Sequence, residues 1–429
     1  MLENINIEGS FLKILLLNYS DTGGGAAVAA VRLLAALRQR GVDADLGVVE
    51  KNTSQPSIIC LKKDNLLKKI LRRWRAYLLR FAFRTTNPIL HSENKQTLLD
   101  IERINNSDYD LVHLHWVNYN ALAIEDMAKI KKPLVWTLHD HWVFAGAEHY
   151  ANIWENDERF MVGYTRANQP PTTKGLDICR WTWERKKKSW AKVKIDFIAP
   201  SNYEQNLFAQ SALFKGGDNP SAVIPNIVPE DIFKPLAKFA LRQKYGIPQD
   251  KKVIGFGALD ISCEKSVKGG HLLLEALRKI PEPQDFHLVI FGRVDASFSR
   301  AVAMPLFSAG WVDKQNVLAE LYNLCDVFVC PSVLENLPNV CLEALFCGVP
   351  VAAFATGGIP DIVEHRRTGY LARPFAAEDL AQGIAYCSAQ APRLSENSLL
   401  KAGQDFNNRA VLEKHISFYE NVLKCRPGA

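Results

Sequence analysis

PSVLENLPNVCLEALFCG, residues 331–348, decides how this chain is read. It follows a four-residue apolar run, Val327–Cys330. One strand later comes Thr356-Gly357-Gly358. A short buried strand, a loop holding a glutamate, then an apolar helix opening after Pro338 is the signature of a βα unit in a parallel sheet. Glu335 falls in the loop and Glu343 inside the helix. Eight positions of helix rise amount to about 12 Å. A glycosidase carboxylate pair is only about 5–9.5 Å apart. The two glutamates are therefore poorly placed to share one bond, and suit the two ends of an extended ligand. The competing reading is a surface acid plus a helix-internal acid. The apolar neighbours Val340, Leu342, Ala344 and Leu345 count against it, because a semi-buried carboxylate needs a partner.

Outward from this stretch the same alternation repeats. Upstream strands are expected at 253–256, 287–291 and 303–307, and a further one at 351–354. Helices are expected at 269–279, 314–324, 339–347, 359–364 and 377–388. An earlier series has strands at 12–18, 44–49, 110–114, 134–138, 196–199 and 222–224. Its helices lie at 25–40, 63–84, 120–131, 178–193 and 202–210. Residues 143–177, rich in Asn, Gly, Pro and Thr, read as a long loop. Pro225, Pro229, Pro235 and Pro248 mark the boundary between the two series. The pattern predicts an α/β protein of two doubly wound, Rossmann-like domains. They are residues 1–225 and 226–410, with a helix in 411–429 returning to the first. Open parallel sheets bind ligands beyond the carboxyl ends of their strands, so the chemistry is expected in a cleft between the domains.

Three weaker motifs sit at such strand ends. Asp21-Thr22-Gly23-Gly24-Gly25 follows the first strand and opens a helix, where backbone approaches a ligand closely and a helix N-terminus favours an anion. It is neither Gly-x-Gly-x-x-Gly nor a P-loop, and a tight turn alone also explains it. Thr137-Leu138-His139-Asp140-His141-Trp142 places a histidine at a strand's carboxyl end, suited to a substrate hydroxyl or to acid–base work. His113 and His115 flank another strand end. Lys268-Gly269 opens a helix in the second series, where a lysine neutralises a diphosphate or is simply solvated.

Composition limits the rest. With 429 residues, 48% hydrophobic and 23% charged, the chain is an ordinary globular protein and not a disordered or collagen-like one. No run of about 18 apolar residues exists. Nine cysteines with no Cys-x-x-Cys pair suit reduced core thiols better than disulfides or zinc. With no signal peptide at the N-terminus, a cytoplasmic protein is expected. The net charge of +6 is unevenly spread. Residues 61–84 carry nine basic residues and one acid, hence +8, and the remainder of the chain is −2. On a helical wheel Leu66, Leu67, Ile70, Leu71, Trp74, Tyr77, Leu78 and Phe81 share one face opposite most of the basic residues. Two readings fit: attachment to an anionic membrane surface, or a surface helix packed on the core. Arg185–Lys188 either widens that basic patch or is a solvated face. With the basic residues in one helix and no recognition module, nucleic acid is not an expected partner.

Taken together, GWVDKQNVLAELYNLCDVFVCPS (310–332), the Glu-x7-Glu stretch 335–343, Gly357-Gly358 and IAPSNYEQNLF (198–208) resemble the retaining glycosyltransferases of family 4, which have the GT-B fold. The resemblance runs from about residue 12 to 423, and its nearest subgroup acts in bacterial exopolysaccharide assembly of the colanic-acid type. It implies transfer of a hexose from a nucleotide diphosphate sugar to a saccharide acceptor, expected to be lipid-linked. It also implies that no metal or other cofactor is needed. Glu335 and His139 become the catalytic candidates, the first on hydroxyls of the donor sugar and the second on the transferred sugar. For the donor it implies Gly24 and Gly25 near phosphates or sugar, Lys268 on the diphosphate and Glu343 on the ribose. Amides around Asn336, Leu337 and Gly358 would meet the leaving phosphate, and the backbone near Val312 the base. The chain departs from the family pattern at Ala258, where an arginine often follows Gly257; Lys265 and Arg293 are candidate replacements. Pro225-Asn226-Ile227 stands for the family's Pro-Asn-Gly, and Glu148 and its neighbours replace cysteines on the acceptor side. Two other readings remain at this stage: a GT-B sugar-nucleotide epimerase and a non-catalytic nucleotide-sugar-binding scaffold.

Overall fold

A computed structural model describes residues 12–63, 66–85, 89–150, 157–171, 173–217, 219–262, 264 and 266–426. The chain divides into two compact units. Unit 1 runs to Ile224 and takes in the chain from Leu412 onward; unit 2 is Pro225–Val411.

Unit 1 is built on β1 (Lys13–Ser20), β2 (Asp43–Glu50), β3 (Ile58–Cys60), β5 (Leu111–Leu114), β6 (Leu134–Thr137), β8 (Ile195–Ala199) and β9 (Ser221–Val223). They form one sheet in the order β3-β2-β1-β5-β6-β8-β9, every pair parallel. A separate antiparallel pair joins β4 (Phe83–Thr85) to β7 (Thr173–Gly175). The helices are α1 (Gly24–Gln39), α2 (Leu66–Ala82), α3 (Ile101–Asn105), α4 (Arg159–Val162), α5 (Ile178–Trp190) and α6 (Asn202–Gln210). Asp100, Asp177 and Ser201 start α3, α5 and α6 by accepting from the amides of Arg103, Arg180 and Glu204.

Unit 2 contains α7 (Lys238–Tyr245), β10 (Lys252–Ile261), α8 (Gly270–Leu277), β11 (Phe286–Val294), α9 (Ala296–Ala301), β12 (Leu306–Ser308), α10 (Gln315–Leu324), β13 (Val327–Cys330), α11 (Asn339–Phe346), β14 (Val351–Phe354), α12 (Ile359–Ile362), β15 (Gly369–Ala372), α13 (Ala377–Ala389) and α14 (Ala391–Asp405). Its sheet is also parallel, in the order β12-β11-β10-β13-β14-β15. The strand runs are apolar without alternation because both faces are buried. Cys325, Cys330, Cys341 and Cys347 are buried free thiols in this core. The last helix, α15 (Asn408–Lys424), sends Tyr419 into unit 1 and is followed by Arg426, which pairs with Asp196 of β8.

Each sheet reverses its winding once, between β1 and β5 in unit 1 and between β10 and β13 in unit 2. Such switch points open a crevice at the carboxyl edge.

Several expected elements differ. The helix over 120–131 is a 3-10 turn at Glu125–Lys129. Tyr119 and Asn120 have positive φ, and the Asn120 carboxamide oxygen accepts from the Lys95 and Gln96 amides, which ends any regular helix there. The strand over 303–307 begins only after Pro305, which has no amide to donate. The stretch 143–177 is not all loop, since α4 and β7 lie within it.

The surface readings also change. On α2 the side chains of Ile70, Leu71, Trp74, Tyr77, Leu78 and Phe81 are 43–63% exposed, so this face is not packed on the core. The side chains of Leu66 and Leu67 lie outside the described set. Among the described residues no helix is long and apolar enough to cross a membrane. Arg185–Lys188 is not a uniform basic face. Lys186 is fully buried, donates to the carbonyl oxygens of Trp142, Ala145 and Gly146, and lies 3.8 Å over the Trp142 ring. Arg185 pairs with Glu125 at 2.7 Å.

Candidate active site

In unit 2 the expected residues collect at the carboxyl edge of the three strands around the switch point. Lys268 follows β10, Glu335 follows β13 and Gly357-Gly358 follow β14. Lys268 Nζ donates to Glu335 Oε1 at 2.6 Å. Burial pulls the ammonium down, and the Glu335 carboxylate outweighs it, so the Lys268 pKa lies above the usual lysine value. The lysine stays partly exposed, while Glu335, Asn336 and Leu337 are buried. The ion pair therefore presents its positive end outward.

Glycines let these loops approach one another. Gly269 has φ +69°, and a methyl group there would collide with the Pro331 carbonyl. Gly357 has φ +56°, and a methyl group would meet the Glu335 carbonyl oxygen. That oxygen accepts from the Gly358 amide at 3.0 Å. The Gly358 N–H is thus spent inside the turn, which corrects its expected place among the amides facing a phosphate. Thr356 Oγ1 donates to Ser332 O at 3.0 Å and ties the same two loops together.

Helix α11 opens after Pro338 and carries Glu343 inward, where Tyr322 OH of α10 donates to Glu343 Oε2 at 2.7 Å. Glu343 and Glu335 are thus held by different partners. Asn226 reaches the first residue of α11, its Nδ2 donating to Asn339 Oδ1 at 3.0 Å. Val312 is half-buried in the loop after β12, beside exposed Trp311. Of the two candidate replacements for the missing arginine, Arg293 sits near the end of β11, 2.8 Å from Asp260 in an exposed pair. Lys265 lies outside the described residues.

The unit 1 edge is of a different kind. Gly23 and Gly24 both have φ +78°, and Gly24 and Gly25 open α1. Asp21 braces this turn by accepting from the Asn52 amide at 2.7 Å, the Thr53 amide at 2.8 Å and the Thr53 hydroxyl at 2.7 Å. Burial pushes the Asp21 carboxyl up, and those three donors outweigh it, so its pKa is lowered. His139 follows β6 and is half-buried, with its Nε2 2.8 Å from His115 Nδ1. Behind them His113 bridges Tyr419 OH at 2.8 Å and Thr137 Oγ1 at 2.7 Å, and His415 lies beside Tyr419. Burial lowers all four imidazoles. His139 falls to about 4 and His415 to about 3, while His113 and His115 lie well below the usual value. They are neutral at pH 7.

Sequence reasoning missed the support beneath His139. Asp140 accepts from Trp116 Nε1 at 2.8 Å and the Trp142 amide at 3.0 Å, and pairs with His149 Nδ1 at 2.6 Å. His149 Nε2 in turn meets Ser92 Oγ at 2.8 Å. Asp140 was visible beside His139, but nothing in the sequence placed Ser92, His149, His415 or Tyr419 near it. Glu148 is buried and accepts from Tyr164 OH.

Two family models match the chain. The model for Glycosyltransferase Family 4 matches residues 23–231, and that for Glycosyl transferases group 1 matches residues 251–390. Solved structures of one fold align along its whole length. Sucrose-phosphate synthase from Thermosynechococcus elongatus has a TM-score of 0.66 at 19% identity, over 96% of this chain and 100% of that one. Anabaena HepE in complex with UDP and glucose has a TM-score of 0.60 at 19% identity, with the same coverage. The fold is that of the GT-B glycosyltransferases. Curated relatives include D-inositol 3-phosphate glycosyltransferase of Mycobacteroides abscessus, 29% identical over 42% of this chain and 39% of the relative. N-acetyl-alpha-D-glucosaminyl L-malate synthase of Bacillus anthracis is 25% identical over 46% of this chain and 53% of the relative. The matched region spans about half or less of these relatives' length.

Proposed function

We propose that the chain transfers a hexose from a nucleotide diphosphate sugar to a hydroxyl of a saccharide acceptor, with retention of configuration. The observation that carries this reading is the Lys268–Glu335 pair, set against the Gly357 turn at the β10/β13 switch point. A cation with its positive end outward suits a diphosphate, and a buried carboxylate beside it suits sugar hydroxyls. In this reading Lys268 takes the part a metal ion plays elsewhere. Glu343, fixed by Tyr322, holds the ribose; Asn336 and Leu337 supply amides to the leaving phosphate; and Val312 lies against the base. Gly24, Gly25 and His139 are the residues of unit 1 that this reading assigns to the substrates. The leaving phosphate deprotonates the acceptor hydroxyl, so catalysis is positioning and charge stabilisation without a separate nucleophile.

The acceptor is carried on a lipid at an anionic membrane surface, of the kind used in surface polysaccharide assembly. What supports this is α2. Its face of Ile70, Leu71, Trp74, Tyr77, Leu78 and Phe81 is open, and the 61–84 segment carries +8. An aromatic-rich apolar face with basic flanks suits the headgroup boundary of an anionic bilayer.

The deciding experiment incubates the protein with nucleotide sugars and an acceptor panel, follows nucleoside diphosphate release, and reads the product's anomeric configuration by proton NMR. Release that depends on acceptor, with the donor's configuration kept, is the expected result. Conversion of the nucleotide sugar without acceptor would instead mark an epimerase, and inversion would refute retention.

A further inference from the structure

His139 follows β6 with one ring nitrogen already committed: its Nε2 is 2.8 Å from Nδ1 of His115, and the two rings stack at 5.1 Å and 24°. One nitrogen of this contact must carry the proton. The other nitrogen of His115, Nε2, is buried and has no hydrogen-bond partner among the described residues. That asymmetry selects between the two arrangements.

If His139 donated from Nε2, the proton of His115 would sit on its own Nε2 and leave a buried N–H without an acceptor. Such orphans are rare and expensive in native structures. If His115 donates from Nδ1, its Nε2 is a bare lone pair, and no N–H is stranded. The imidazolium forms are set aside by burial among other neutral imidazoles: His113 is 4.4 Å from His115, and among the described residues no carboxylate meets either ring of the pair in a hydrogen bond, Asp140 acting on His139 only through space. The His115 backbone is also fixed, its amide on Leu17 O at 2.8 Å and its carbonyl under Trp136 Nε1 at 2.9 Å.

We infer that His115 is a positioning residue that fixes His139 as its Nδ1–H tautomer, so that His139 offers substrate a hydrogen-bond donor and not a base. The partner is an oxygen of the bound substrate, a sugar hydroxyl or a phosphate oxygen. The second half of the inference rests on the proposed function, in which His139 meets substrate; the tautomer itself does not.

The test separates the two. In protein labelled with ¹⁵N-histidine, long-range proton–nitrogen correlation assigns each tautomer. The wild type is expected to show His139 protonated on Nδ1. His115→Asn, whose amide nitrogen stands where Nδ1 stood, keeps that tautomer, and His115→Leu loses it. His139 protonated on Nε2 in the wild type, or a tautomer indifferent to His115→Leu, overturns the inference whether or not the protein turns over. For the substrate contact, kcat of two variants is compared. His139→Asn keeps a donor at the Nδ1 position and His139→Gln does not. One hydrogen bond predicts about a tenfold advantage for His139→Asn, with KM little changed. Equal kcat for both variants overturns the donor role even if the tautomer is as inferred.

Discussion

At the carboxyl edge of the unit 2 sheet a lysine and a glutamate meet at 2.6 Å, whereas at the matching edge of unit 1 two neutral imidazoles meet at 2.8 Å. Both edges lie at a winding reversal of a parallel sheet, and both are approached by glycines with positive φ. The difference lies in what burial has done to the charges. Lys268 keeps its proton because a carboxylate compensates it. The unit 1 histidines lose theirs because burial disfavours the charged forms, neighbouring imidazoles add repulsion, and the Asp140 carboxylate does not offset this at His139. Lys186, buried against carbonyls and indole rings, has its pKa lowered by burial, and three carbonyl oxygens accept from its ammonium. One chain thus carries an ionic pole and a neutral, hydrogen-bonding pole, which the proposed function assigns to phosphates and to sugars.

The largest test of that contrast is on the ionic pole. Lys268→Ala should lower kcat/KM by about 1000-fold, since a charge-assisted contact to a developing phosphate charge is lost. Glu335→Gln should lower kcat by about 100-fold while the fold survives, as circular dichroism would show. Near-normal turnover in either removes the ion pair from the mechanism. Gly357→Ala should cost about 1–3 kcal/mol of unit 2 stability, because the residue must hold positive φ against the Glu335 carbonyl. Thermal denaturation reads this directly.

The neutral pole is tested by pH. The folded-state pKa values of His113, His115, His139 and His415 lie below the unfolded value of about 6.5. Above pH 6.5 both states are neutral there and nothing is lost. As pH falls from 6.5 toward 4, the unfolded chain takes up protons that the folded chain refuses. Stability should then drop by up to about 1.4 kcal/mol per pH unit for each histidine. A transition temperature flat between pH 7 and pH 5 would contradict the neutral array.

The smallest expected effect on stability comes from α2. Replacing Trp74, Tyr77 and Phe81 together by serine should change stability by less than about 0.5 kcal/mol, since these side chains are exposed. The same change should abolish pelleting with phosphatidylglycerol vesicles, while pure phosphatidylcholine vesicles should not pellet even the wild type. Undiminished pelleting, or no binding by the wild type at any salt concentration, would remove the membrane from the account.

How much of this was legible beforehand follows from periodicity. β13 and β14 stood out because each is a short apolar run, and the helix opening after Pro338 was marked by the proline itself. Helix α14 was not legible. It starts at a proline-bearing turn and buries Leu394, Ser398, Lys401 and Ala402, a face too polar to show an apolar period. Strand β15 was missed because Gly369 and Tyr370 lie next to a charged run, 364–367. At the site, Glu335, Lys268 and His139 were each visible at a strand end. That Lys268 touches Glu335 across 67 positions, or that His415 stands behind His113, is a tertiary fact that local sequence does not encode.

The most direct test of the ionic pole is a thermal-shift titration with UDP, GDP, ADP and their common sugars, with and without a chelator, on the wild type and on Lys268→Ala. A rise with one nucleotide that survives the chelator and vanishes in Lys268→Ala is the predicted result. No rise with any of them, a rise abolished by the chelator, or an equal rise in Lys268→Ala would contradict it.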